Sequence, residues 1–260
     1  MTDLNSILEL KKKGIISIIG AGGKTTLMFK LAKELESSPL NLRVLTTTTT
    51  KIFMPAPSQS EKILVTQSID TLLKKFTAEL QDHHHLSAAG RIDERTKKLV
   101  GFSPEIIDQI QQSGLFDWII VEADGAARKP LKATAEHEPV VPETSKYLII
   151  VAGLDAIGHP LDDTHVHRAK IFSKKTGLPL NSPVTEAAVA DLLAIEIRKA
   201  QNQAPDSQCV ALLNKADDEK AQETGNTIAN LLTAEKCFHK IVVAALQSKH
   251  PVPEIEVLRN

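Results

Sequence analysis

Seven residues near the amino terminus, Gly20-Ala21-Gly22-Gly23-Lys24-Thr25-Thr26, have the types and order suited to gripping phosphate. Glycines remove side chains where backbone N–H groups must close on phosphate oxygens, and a helix beginning at the threonines would aim its N-terminus at the same anion. Lys24 would reach the β and γ phosphates, and the Thr25 hydroxyl would ligate Mg²⁺. The full G-x-x-x-x-G-K-[ST] pattern would put its first glycine at position 18, where Ile18 stands. The form present is the shorter G-x-x-G-K-T-T, as in Mur-type ligases. A dinucleotide fingerprint fails because its third glycine would fall on Thr25.

Acids and hydroxyls follow in an order that fits a phosphate site. Thr46 to Thr50 precede Lys51, and one of these hydroxyls, taken as Thr48, would complete the Mg²⁺ shell. The apolar run ending in Glu122-Ala123-Asp124-Gly125 puts two carboxylates at a strand's C-terminal end, where open α/β sheets bind ligands. Glu122 and Gly125 have D-x-x-G spacing with Glu for Asp. Glu122 or Asp124 would hold the metal or orient a water. Asn214-Lys215-Ala216-Asp217 is an N-K-x-D. Its Asp can accept both N1–H and N2–H of guanine, its Lys stem can cover the base, and its Asn amide can brace the loop. GTP is therefore expected over ATP. Ala244-Ala245-Leu246 stands where a backbone N–H would meet the base.

Cations and histidines supply substrate candidates. Arg128, within Ala127-Arg128-Lys129-Pro130-Leu131-Lys132, could clamp an anion bidentately. His137 stands beside Glu138, and His167 beside Arg168; each is a candidate for substrate contact. A solvated loop is the ordinary alternative for the first group, and a pair that merely orders a loop for the second. His83-His84-His85 has no partners at ligand spacing and reads as a surface loop.

Seven apolar runs position these groups: residues 15–19, 43–46, 62–66, 117–122, 146–152, 209–213 and 240–246. Several lack alternation, as strands buried on both faces do. Leu27, Leu31 and Leu35 repeat at helical spacing behind the glycine turn. The pattern predicts an α/β fold with a doubly wound, mostly parallel sheet of the P-loop NTPase type. Residues 1–260 read as one nucleotide-binding domain with a small helical insertion at 155–185, whose helix starts near Asp163-Thr164 and stops at Gly177. Residues 125–145 read as an ordered loop over a site or as a connector. Residues 81–104 carry no decisive pattern.

A net charge of −1 and 3% aromatics give no support to a nucleic-acid partner. Two cysteines without CxxC spacing fit a reducing compartment. Neither a signal peptide nor an apolar run of membrane-spanning length is evident, so a cytoplasmic protein without a membrane partner is expected.

The blocks GAGGKTT, LTTTTTKIFMP, VEADGAARKPLKATAEHEPVVP, VAGLDAIGHPL, VHR and LNKAD resemble those of the YqeC family, selenium-dependent hydroxylase accessory proteins. The resemblance runs from about Gly14 to Val243, and VEADGAARKPLK is its most specific block. It implies a role in maturing selenium-dependent molybdenum hydroxylases, with such an enzyme or its cofactor-maturation proteins as partner. The residues favour a Mg²⁺-dependent NTPase. An ATP-dependent ligase or kinase acting on a small anionic substrate is the alternative, as is a nucleotide-gated scaffold without turnover.

Overall fold

The computed structural model describes residues 4–247. In chain order the strands are β1 (Gly14–Gly20), β2 (Val44–Thr48), β3 (Lys51–Phe53), β4 (Ile63–Val65), β5 (His85–Ala89), β6 (Arg91–Asp93), β7 (Lys98–Val100), β8 (Trp118–Glu122), β9 (Leu131–Lys132), β10 (Ser145–Gly153), β11 (Val166–His167), β12 (Gln208–Asn214) and β13 (Lys240–Ala244). The helices are α1 (Leu4–Ile7), α2 (Lys24–Glu36), α3 (Ile69–Glu79), α4 (Pro104–Gln112), α5 (Ala169–Thr176), α6 (Glu186–Gln201) and α7 (Glu219–Thr233). Eight strands form one sheet in the order β13-β12-β10-β1-β8-β2-β5-β4, parallel throughout.

Alternation along β1 shows why the sheet is covered on both faces. Ile15 and Ile19 belong to the core shared with α3, α4, α5, α6 and α7, whereas Ile16 and Ile18 belong to the core shared with α1 and α2. Leu27, Leu31 and Leu35 form the buried stripe of α2. The fold is thus α/β with a large parallel sheet between helical layers, as the apolar runs predict. Among the described residues no helix is long and apolar enough to cross a membrane.

All seven predicted runs are strands of this sheet, but the eighth strand, β5, comes from the undecided stretch. The surface-loop expectation for the histidine run fails at His85, which opens β5 and is buried. Its ring nitrogen bonds the Thr46 hydroxyl at 3.0 Å, and that hydroxyl also meets Ser87 at 2.7 Å. Mutual satisfaction lets these polar side chains sit inside. The same stretch also supplies β6 and β7, which join β3 in the antiparallel sheet β3-β7-β6.

The expected helix in 155–185 starts later than Asp163-Thr164. Val166 and His167 first pair with Leu131 and Lys132, and α5 begins at Ala169. Asp163 instead accepts the Ala169 N–H at 3.1 Å, capping the helix from a distance. Gly177 ends it as expected, in the left-handed conformation.

Candidate functional site

The loop from Gly20 to Lys24 joins β1 to α2 at the C-terminal edge of the sheet. Gly22 and Gly23 have φ of 80° and 145°, which favour glycine. A Cβ on Gly23 would stand 2.2 Å from Asn214 Nδ2, and one on Gly22 would stand 2.3 Å from the Gly153 nitrogen. Among the described residues no side chain caps α2, so its first N–H groups open toward the cleft.

Lys24 folds back over its own loop. Its Nζ donates to the Gly20 carbonyl at 2.7 Å and lies 3.1 Å from Asp124 Oδ1 and 3.8 Å from Glu122 Oε1. Burial alone would lower its pKa, but Asp124 and Glu122 raise it and keep the ammonium charged. The Thr25 hydroxyl donates to Glu122 Oε2 at 2.7 Å. Burial pushes the Glu122 carboxyl up, opposed by Lys24 and Thr25. Thr25 and Glu122 thus present two hard oxygen donors on the cleft floor, a set that suits Mg²⁺. The Thr48 hydroxyl donates to the Glu122 carbonyl at 2.6 Å, so it fixes the strand end that carries this acid.

Asp124 sits behind the loop. It accepts the Gly20 N–H at 3.0 Å, and its second ion-pair partner is Lys132, 3.1 Å away. Lys132 also lies 2.9 Å from Glu138, which in turn pairs with Arg168. A chain of alternating charge therefore runs from buried Lys24 through Asp124, Lys132 and Glu138 to half-buried Arg168. Burial would raise the Glu138 carboxyl, but hydrogen bonds from Arg168 and Lys132 override it and hold it down at about 2. Sequence spacing places Lys132 only among the cations of a loop; the enclosure of its side chain emerges from the fold.

At the other end of the cleft, Asn214 joins two backbones. Its Nδ2 donates to the Gly22 carbonyl at 2.6 Å, and its Oδ1 accepts the Leu246 N–H at 3.0 Å. The Asn therefore braces the glycine loop against the turn after β13, which commits that turn's Leu246 N–H. Lys215 pairs with Asp155 at 2.5 Å, and Asp217 is exposed at the cleft mouth.

The cleft has a volume of about 580 Å³. Gly22, Gly23, Lys24, Thr25, Thr26, Glu122, Gly125, Arg128, Asn214, Lys215 and Asp217 all line it. The predicted substrate contacts divide. Arg128 lines the cleft, but His137, His167 and Arg168 do not. His137 is exposed on a turn, whereas its neighbour Glu138 points inward. His167 lies in β11, where burial and the adjacent Arg168 and Lys132 charges lower its pKa. Among the described residues no group of three His, Cys, Asp or Glu side chains could hold a metal.

The YqeC protein family model matches residues 16–170, a span that includes the glycine loop, Glu122, Asp124, Lys132, Glu138 and Arg168. The protein YqeC of Escherichia coli (strain K12) is 37% identical over 185 residues, covering 71% of this chain and 68% of that protein. Among solved structures, a Corynascus thermopiles (Myceliophthora fergusii) carbohydrate esterase family 2 enzyme aligns with 94% of this chain and 60% of its own. Identity there is 10% and the TM-score 0.34, too low a likeness to carry an argument. With the family model spanning more than half of its residues, this chain belongs to the YqeC family.

Proposed function

We propose that the cleft binds a nucleoside triphosphate with Mg²⁺, preferring GTP to ATP, and that the protein is an NTPase. The observation that carries this reading is the convergence of Lys24, Thr25 and Glu122 at the floor of a glycine-lined cleft. Thr25 and Glu122 would hold the metal, which when bound neutralises charge on the β and γ phosphate oxygens. Lys24 would exchange the Gly20 carbonyl for phosphate oxygens, keeping its charge beside the group that gains negative charge during transfer. Asp124, fully buried between two lysines, would hold the back of the loop, leaving Glu122 to orient an attacking water. Asn214 braces the loop while Asp217, at the cleft mouth, would accept the guanine N–H pair.

An accessory role in maturing selenium-dependent molybdenum hydroxylases is supported by the family resemblance; no residue of the cleft adds to it. Transfer to a small anionic acceptor, the ligase or kinase reading, is favoured by Arg128 at the cleft wall. The test is titration of GTP, ATP and CTP with Mg²⁺ into wild type, Lys24→Ala and Asp217→Ala, followed by a phosphate-release assay. GTP preference lost in Asp217→Ala, binding lost in Lys24→Ala and free phosphate without acceptor are expected. ATP bound equally well and untouched by Asp217→Ala would end the guanine reading.

A further inference from the structure

Among the described residues six cations line the cleft, and four of them are already engaged. Lys24 meets Asp124, Lys51 donates to Asp93 at 2.6 Å, Lys129 donates to the Thr164 carbonyl at 2.7 Å, and Lys215 meets Asp155. Lys98 and Arg128 differ: among the described residues no carboxylate pairs with either. Both turn instead to one aromatic ring. Lys98 Nζ lies 4.4 Å from the Phe53 centroid, and the Arg128 guanidinium carbon lies 4.2 Å from it. Phe53 is 50% exposed, Arg128 is exposed and Lys98 is half-buried, so a ligand can reach the ring and the two cations that lie over it.

The backbone holds this arrangement deliberately. Ala127 and Arg128 have φ of 48° and 61°, two successive non-glycine residues in the left-handed region. Such strain persists where surrounding contacts enforce it, and it concentrates at ligand sites. Here the enforcing contacts are the Lys129 N–H to the Ala126 carbonyl at 2.9 Å, and the Gly22 N–H to the Lys129 carbonyl at 3.2 Å. The turn that presents Arg128 is thereby tied to the glycine loop.

Strand order fixes where this group stands. Asn214 ends β12 and Asp217 follows it, the glycine loop follows β1, Glu122 ends β8, and Phe53 lies in β3 just after β2. The sheet sets β12, β1, β8 and β2 in that spatial sequence, with β10 between the first two. A triphosphate running from Asp217 over the glycine loop would therefore have Phe53, Lys98 and Arg128 beyond its terminal phosphate.

We propose that Phe53, Lys98 and Arg128 form the binding site of a second substrate, a planar organic anion carrying two or more negative charges. Two cations neutralise the anionic groups and, in turning from the ring to them, uncover a face of Phe53 on which the planar part stacks. Its place beyond a nucleotide rests on the preceding reading of the glycine loop; the three side chains themselves do not.

The test is calorimetric titration of benzene-1,3,5-tricarboxylate into the full chain, with the non-planar cyclohexane-1,3,5-tricarboxylate as control, each with and without Mg-GTP. One-to-one binding is expected, weakened roughly tenfold by Lys98→Ala or by Arg128→Ala, the loss of one charge-assisted contact. Phe53→Leu should weaken the planar probe more than the control, and Lys24→Ala should leave both in place. Absence of binding, indifference to Lys98 and Arg128, or displacement by Mg-GTP together with loss in Lys24→Ala would overturn the proposal. Probe binding by a protein that takes no nucleotide would uphold this site and remove the nucleotide reading instead.

Discussion

Lys24 Nζ stands 3.1 Å from Asp124 Oδ1, and neither side chain reaches solvent to any useful extent. The loop lysine is therefore neutralised from behind before any ligand arrives. In the proposed complex a phosphate oxygen would have to compete with Asp124 for it.

Asp124→Ala should destabilise the protein by about 3 kcal/mol, because it leaves two buried lysines short of a counter-charge and the Gly20 N–H without its acceptor. Urea unfolding measures it. Adding Lys132→Met to Asp124→Ala should recover part of the loss, since the uncompensated charge is then gone while Glu138 keeps Arg168. A single-variant loss below about 1 kcal/mol would show that the pairing does not support the fold.

Burial lowers the His85 imidazole to about 4 from its ordinary 6.5. The unfolded chain takes up the proton first, so stability should fall as pH drops from 6.5 toward 4. The full effect is about 3 kcal/mol below that window. In His85→Gln this segment of the pH–stability curve should flatten, whatever the variant's stability at neutral pH. An unchanged slope would mean that the ring takes up its proton in the fold as readily as in the unfolded chain.

Glu138 behaves in the opposite sense. The fold holds its carboxyl at about 2 against an ordinary 4.5, so its contribution is complete above pH 4.5 and disappears between there and pH 2. Glu138→Gln should be less stable than wild type at neutral pH and show a shallower decline across that acid window. Equal slopes in the two proteins would remove Glu138 from the charge chain.

The large sheet was legible because its strands, buried on both faces, are written as unbroken apolar runs such as IISII and YLIIVA. His85-Leu86-Ser87-Ala88-Ala89 escaped that rule. It is a strand whose interior place depends on hydrogen bonds with Thr46, and those join residues some forty positions apart. Strands β3, β6 and β7 are three residues each, too short for a period to show. The glycine loop and Asn214 were legible because their chemistry is local or matches a motif. Lys132 and Glu138 were not assigned their pairing, because Asp124, Lys132, Glu138 and Arg168 come together only through the β9–β11 pairing and the loop between.

The contact between Gly23 and Asn214 can be separated into strain and collision. Gly23→Ala introduces a Cβ 2.2 Å from Asn214 Nδ2 and forces alanine to φ 145°. The backbone component alone is about 1–3 kcal/mol, and the collision adds to it. Asn214→Ala alone removes two hydrogen bonds, to Gly22 and from Leu246, at about 1–3 kcal/mol. In the double variant the collision has no partner, whereas the backbone strain persists. The combined loss should therefore fall short of the two single losses by at least about 0.5 kcal/mol, the range expected of residues in contact. Urea unfolding of all four proteins gives this coupling directly. Strict additivity would mean that the loop relaxes away from Asn214 when alanine is introduced. The Asn would then fit the glycine loop through its hydrogen bonds alone, without requiring the missing side chain.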